Sequence, residues 1–491
     1  MNETNGEFQQ NCDRLGKILG CKENYDVIFH RFQMAQHAAA IYVLQGFVDG
    51  EVFTEILQNL QALPEIEGEP AQFIQQRVGY YQTSVCPTLT QAADAVLAGQ
   101  AILLLEGLTG ALVLDARNYT ARGPAEPGLE KVIRGSRDGF TETIVTNTQL
   151  IRRRIRDGNL RMEMHHVGRR SQTDVCLSYL ADVANPQLVA EINKRLEAVD
   201  IDGLPMAEKS LEELITPGNV WNPLPRVRYT ERPDVAAQHI LEGHVVILVD
   251  TSPSVMILPA TYFYHWQHAE EFRQAPSVGL YLRWVRYFAI LTSLLLLPLW
   301  FAGAVDSGID RDTVFSLSWQ VILAELALDI IRLAAVHTPA ALSTSLGLIA
   351  ALMVGTIGVD LGYVTQEVVM YTAVAATTLF ATPSYELGMA HRLGRWFLLF
   401  CAMIAGYWGV TAGFILLFIL TARSRSFGEP YLWPLWPWDG HAMKEMLMRP
   451  PVPRQRYRPA IVHTENIRRQ GSETMPEFHE MSGGKKPPQD V

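Results

Sequence analysis

The chain has little charge. Only 19% of its 491 residues are Asp, Glu, Lys or Arg, against about a quarter in an ordinary soluble protein. Cysteine is scarce too. Cys12, Cys21, Cys86, Cys176 and Cys401 are scattered, with no CxxC and no zinc-type spacing. An odd count with one thiol inside an apolar run is a poor disulfide framework. A reducing, cytoplasmic setting is therefore expected for the soluble part. No basic stretch followed by an apolar core opens the N-terminus, so no secretory signal is expected. Phosphate-binding GxxxxGKS or GxxxxGKT loops, a GxSxG elbow and HExxH are all lacking. These absences argue against an enzyme. A net charge of −10 argues against a general nucleic-acid binder. His265 and His268 make a short metal-like pair beside Glu270 and Glu271, but no further ligand stands in register. Interfacial packing is their expected use, and neither a metal nor a cofactor is expected.

What is present is unevenly distributed. Residues 1–282 read as soluble sequence, 283–422 are strongly apolar, and the remainder is polar and Pro-rich. The expected fold is a soluble α/β part with two related subdomains, then an α-helical polytopic membrane domain of four to six helices, then a disordered tail. The expected segments are an N-terminal piece (1–24), a first α/β subdomain (25–130), a basic helical connector (131–171), a second α/β subdomain (172–282), a transmembrane domain (283–425) and a Trp/Pro-rich cytoplasmic tail (426–491).

The two subdomains rest on a weak internal repeat. Ala39–Leu44 reads as a strand, followed by a helix with Val52, Ile56 and Leu60 on one face. Shifted by 136 positions, Val175–Leu180 precedes Leu188, Ile192 and Leu196. Period 2 followed by period 4 marks a strand and then a helix. With an offset of 144, AADAVLAG (92–99) returns as AAQHILEG (236–243). Gly99 and Gly243 stand where a helix C-terminal glycine belongs. Each precedes two short apolar strands, a hairpin signature.

Between the repeats, residues 131–171 hold ten Lys or Arg against four Asp or Glu. Thr141–Arg154 reads as a helix. Arg152, Arg153, Arg154 and Arg156 are candidates for contact with anionic lipid or with a neighbouring subunit, and a solvated connector is the bland alternative.

Four stretches carry no charge: 287–305, 338–359, 368–385 and 396–422. Each is near the length of about 20 residues that spans a bilayer as a helix. Arg283 and Arg286 before the first stretch, and Arg423 and Arg425 after the last, read as cytoplasmic flanks. With four spans, His391, Arg392 and Arg395 would face outside, which conflicts with the same rule. The conflict disappears if 313–337 also crosses and 396–422 is a hairpin broken near Gly406–Gly409. Within 313–337, Glu325, Asp329 and Arg332 share a helical face. Two readings fit: an interfacial amphipathic helix, or an inward face lining an ion path. Ser343, Gly347, Ala351 and Gly355 follow at four-residue spacing. Such a row permits close helix packing or faces a narrow pore. Both uses stay open, with the four residues as pore-lining candidates. Tyr431, Trp433, Trp436 and Trp438 suit a membrane interface.

The segments HILEGHVVILVDTSPSVMILPATYFYHWQHAEEFRQAP (239–276), PSYELGMAHRLGRW (383–396), EKVIRGSRDGFTETIVTNTQLIRRRIRD (130–157) and RSFGEPYLWPL (425–435) resemble the GerA family of spore germination membrane proteins, A-subunit type. The resemblance covers nearly the whole chain after about residue 30. It implies a spore inner-membrane protein of germination that assembles as a ring of its own copies around an ion path, with N-terminal domain and tail cytoplasmic. DTSPSVMILP (250–259), DGLPMAEKSLEE (202–213), HTPAALSTSLGLIAAL (337–352) and PPVPRQRYRPAIVH (450–463) are similar to a branch without its own B and C subunits. That implies a small accessory membrane protein and germinant receptors as partners, and a part in amplifying the response. The alternatives are a secondary transporter, for amino acids or dipicolinate release, and a scaffold for receptor components that conducts nothing. A transporter would show inverted helix repeats, whereas only the soluble part repeats.

Overall fold

The computed structural model describes residues 2–34, 37–62, 83–107, 110–117, 130, 132, 134–216, 221–305, 314–337, 353–449 and most of 451–469. The soluble part holds two five-stranded antiparallel sheets. The first contains β1 (Val27–Met34), β2 (His37–Leu44), β3 (Thr83–Cys86), β4 (Ala101–Leu105) and β5 (Ala111–Leu114), in the spatial order β1-β2-β4-β5-β3. The second contains β6 (Leu160–Val167), β7 (Thr173–Leu180), β8 (Arg228–Thr230), β9 (Val245–Val249) and β10 (Val255–Leu258), in the order β6-β7-β9-β10-β8. Position for position the two orders are the same. The strand over residues 39–44 and the strand over 175–180 both stand second, and the hairpins after Gly99 and Gly243 occupy matching places.

Local chemistry explains these elements. β4, β5, β9 and β10 are buried throughout, as continuous apolar runs require in a covered sheet. The helices before β4 and β9, Leu89–Leu97 and Pro233–Leu241, end at Gly99 and Gly243 with φ of +89° and +99°. A side chain is disfavoured in that left-handed region, and a Cβ on Gly99 would also press into Phe47 at 2.9 Å.

The basic connector is not a connector along its whole length. Its helix is Ile144–Arg152, whose Ile144, Leu150 and Ile151 join the core of the second unit. β6 is an edge strand paired with β7 along its full length. Its LRMEMHHV sequence has polar residues where a buried strand would be apolar, because one edge and much of one face meet solvent. The segment 1–24 is likewise integral: the helix Asn2–Leu19 buries Phe8, Cys12, Leu15 and Leu19 on the first sheet.

The tail, too, is largely packed where it is described. Tyr431 and Leu432 are buried, and the helix Gly440–Met448 lies against the start of the first long apolar helix. The disorder expected at the end of the tail falls on residues 470–491, outside the described residues.

Among the described residues, two helices are long and apolar enough to cross a membrane, Pro276–Ala304 and Tyr385–Arg423. The second is a hairpin. Its backbone leaves helical geometry at Ala405 and at Gly406, where φ is +54°. The arms then run back on each other: a Cβ on Gly409 would lie 1.9 Å from the Cys401 carbonyl oxygen, and one on Gly413 would lie 3.0 Å from Cys401 Sγ. At about 1.5 Å per residue, residues 401 and 413 of one straight helix would be roughly 18 Å apart. Of the expected apolar stretches, 338–352 lies outside the described residues.

Candidate functional site in the helical region

The helices Leu317–His337 and Gln366–Leu379 join the two candidate spans, and contacts at their ends fix the direction of each element. Tyr262 of the soluble part shares a 2.7 Å hydrogen bond with His391, and Asn222 donates to Ser424 Oγ at 3.0 Å. Both ends of the hairpin therefore stand on the soluble-domain side. At the other end, Tyr407 lies beside Gly303. Thr365 N–H donates to Gln320 at 2.8 Å, and Trp300 stacks on Tyr371 at 4.7 Å. Arg332 sits over Phe380 at 5.3 Å, back near the soluble side. His391 thus lies on the same side as Arg283 and Arg423, the side the positive flanks mark, and Arg395 lies one helical turn further in.

Inside this assembly lies a charged cluster. Arg395 donates to Glu325 Oε2 at 2.8 Å, and both side chains are fully buried. Arg395 also donates to the carbonyls of Ser293 and Ala375, at 2.9 and 3.2 Å. One guanidinium therefore ties three helices to the Glu325 helix. Arg392 donates to the Glu325 carbonyl at 3.2 Å and pairs with Asp329 at 2.5 Å. Glu325 Oε1 is buried without a hydrogen-bond partner among the described residues. Of the two readings for Glu325, Asp329 and Arg332, the geometry puts Glu325 in the bundle interior rather than against headgroups. Asp329 is one-third exposed, and Arg332 meets Met389 and Phe380.

The charges on the facing helix were not singled out as site residues, although their spacing held the signal. Glu325 and Asp329, four apart, match Arg392 and Arg395, three apart, on a second apolar helix.

A second cluster joins the soluble part to the first long helix. Buried Glu271 accepts from Arg283 at 2.7 Å and also binds Arg286. Arg283 further donates to the Met446 carbonyl of the tail helix at 2.6 Å. Around it, Tyr262, Phe263, Trp266, Tyr287 and Leu387 make an apolar joint between domain and helices. His265 and His268 have separate jobs there. His265 hydrogen-bonds Ser384 Oγ at 3.2 Å, while His268 Nδ1 accepts from Glu270 N–H at the start of a short helix. Burial, then the Arg228 charge, lowers His265 to about 3. Burial, then Arg286, lowers His268 to about 4.

The arginine run is divided. Arg152 is unavailable to lipid or another subunit. Fully buried, it grips Asp26 through Nε and Nη2 at 2.9 and 3.0 Å and donates to the Leu160 carbonyl. A buried guanidinium needs such a carboxylate, and here the pair clamps the second α/β unit to the chain entering the first. Arg154 pairs with Asp138 at 2.5 Å, whereas Arg153 and Arg156 are exposed. Of the small-residue row, Ser343, Gly347 and Ala351 lie outside the described residues. Gly355 falls in a π-helical turn, Met353–Ile357, and a Cβ there would meet no described residue within 4 Å.

A soluble α/β pair fused to apolar helices with buried charges defines a class of membrane-associated protein, and comparison identifies it. The model of the Bacillus/Clostridium GerA spore germination protein family matches residues 14–461, and the chain belongs to that family. Stage V sporulation protein AF of Bacillus subtilis (strain 168) is 43% identical over 465 residues, covering 92% of this chain and 94% of that protein. Spore germination protein B1 of the same organism is 29% identical over 486 residues, covering 95% of this chain and 99% of that protein. The solved N-terminal domain of the A subunit of the Bacillus megaterium spore germinant receptor GerK3 is 26% identical with a TM-score of 0.40. The match covers 52% of this chain and 95% of that one.

Proposed function

We propose that this germination protein works in the spore inner membrane as a ring of its own copies enclosing an ion path. In this reading the α/β units and tail are cytoplasmic, and the chain takes part in or amplifies the germination response alongside germinant receptors and a small accessory membrane protein. The helical region crosses an even number of times, since chain entry at Pro276 and exit at Arg423 share a side. The apolar stretch 338–359 counts as one crossing. The observation that carries the reading is Glu325, an ionisable group buried among apolar helices with one oxygen unpaired among the described residues. Such groups at membrane depth are costly and mark ion or substrate paths. Gly355, at the end of the small-residue row, has no described residue within 4 Å of its Cβ position, which leaves room for such a path.

The test is reconstitution of the purified chain into vesicles, with the mass of the complex and cation flux measured together. Complexes of several copies with flux down a gradient are expected. An assembled protein in tight vesicles would favour the scaffold. Flux that requires a co-transported solute would favour the transporter.

A further inference from the structure

The soluble part, the tail and the start of the first long helix together line an open cavity of about 640 Å³. Its wall includes Arg283, Arg449, Phe272, Trp433, His441 and Met446. The two arginines come from different elements, the Pro276–Ala304 helix and the residue after the tail helix. Their guanidinium carbons each stand 5.5 Å from the centre of the same Phe272 ring. Both residues are more than nine-tenths buried, with 2% and 8% of their surface exposed.

The charge around them does not balance. Glu271 is the carboxylate for Arg283, but it serves Arg286 as well. That cluster carries one positive charge in excess. Arg449 adds another: its hydrogen bonds go to the carbonyls of Gln274 and Ala275, each at 3.2 Å, and it has no carboxylate partner among the described residues. Three acids stand on the wall: Glu242 accepts from Gln238 and pairs with Arg469, Asp439 caps the tail helix, and Glu445, one turn before Arg449, forms no ion pair with it among the described residues. Burial, and then the charge of Arg283, pulls Arg449 below the usual arginine range.

The site is also shaped for the guanidinium. Arg449 holds a left-handed backbone, φ +41°, which is strained for a side chain of its size. The first long helix has Gly279 beneath it, where a Cβ would lie 2.1 Å from Arg449 Nη1.

We infer that this cavity binds a phosphate group, gripped by Arg449 and Arg283, on a molecule whose apolar part lies against Phe272, Trp433 and Met446. Two forks converging from separate elements offer more donors than a carboxylate has oxygens, while a tetrahedral phosphate can accept from both. The phosphate is carried either by an acidic lipid headgroup, since Arg283 stands near the start of a candidate span, or by a free phosphorylated small molecule. The inference does not rest on conduction.

The experiment uses the full chain in uncharged detergent. Intrinsic tryptophan fluorescence and melting temperature are followed against two probes, short-chain phosphatidylglycerol and glycerol 1-phosphate, with short-chain phosphatidylcholine as the zwitterionic control. Saturable binding of at least one anionic probe is expected, stronger than the control. Phosphatidylglycerol alone identifies a lipid headgroup, and binding of glycerol 1-phosphate as well identifies a free phosphate compound. Arg449→Gln should weaken binding at least tenfold and Arg449→Lys severalfold, while Arg425→Gln, on an exposed residue outside the cavity, should not change it. If Arg449→Gln does not fold, the wild-type titration and Arg449→Lys still decide. Absence of saturable binding by both probes, or equal binding by the wild type and the Arg449 variants, overturns the inference.

Discussion

Arg395 on one arm of the helical hairpin reaches Glu325 on the Leu317–His337 helix across 2.8 Å, and neither side chain meets solvent. Removing one partner leaves the other charge buried and unpaired, a loss of about 3–5 kcal/mol. Glu325→Gln and Arg395→Gln should each lower the melting temperature of the purified protein markedly. Glu325→Leu combined with Arg395→Met should recover most of it, since an apolar pair of similar volume often replaces a buried ion pair without loss. Single variants that melt with the wild type would show that the two side chains do not pair.

The hairpin itself can be trapped. A Cβ at position 413 lies 3.0 Å from Cys401 Sγ, close to the spacing across a disulfide. Gly413→Cys should form an internal disulfide with Cys401 under mild oxidation, read as the loss of two free thiols in the unfolded monomer. In a single unbroken helix the two thiols could not meet, and both would remain free.

Glu271 pairs with two arginines of the first long helix at once. Glu271→Gln should therefore loosen the joint with the soluble part while leaving the sheets folded. Hydrogen exchange should rise over residues 269–290 by tenfold or more and stay unchanged in β7 and β9. Equal protection of residues 269–290 in both proteins would remove Glu271 from the coupling.

Buried imidazoles give the soluble part a pH dependence. Burial lowers His244 to about 4 and His268 to about 4, from about 6.5. In the unfolded chain they bind protons near 6.5, and in the folded protein only near 4, so stability falls as pH drops from about 6.5 to 4. Each group contributes about 1.4 kcal/mol per pH unit within that window. Melting temperature should be level from pH 7 to 8 and fall steadily below 6.5, and His268→Gln should make the fall shallower. A melting temperature that rises as pH falls from 6.5 to 5 would contradict the burial of these rings.

Much of the soluble fold was legible because it repeats. The fully buried runs Ala101–Leu105 and Val245–Val249, each after a helix-ending glycine, announce themselves twice. β6 was hidden because an edge strand with half-exposed Glu163 and His165 lacks an apolar signature. By sequence Tyr431 suits a membrane interface, yet it is buried against Tyr262, far away in sequence. The hairpin break was visible at Gly406, a residue able to adopt φ +54°. The role of Glu325 was ambiguous because its partner lies 70 residues further along. Local pattern gives the face a charge occupies but not what it meets there.

The most direct test of the account is cation flux through vesicles that hold the wild type or the variants Gly347→Phe and Ala351→Leu, with complex size measured on the same preparations. A ring whose axis runs along the row Ser343, Gly347, Ala351 and Gly355 predicts complexes of unchanged size and flux reduced at least tenfold, because a bulky side chain from every copy meets at the axis. Flux at the wild-type level in both variants, with assembly intact, would contradict a path along that row.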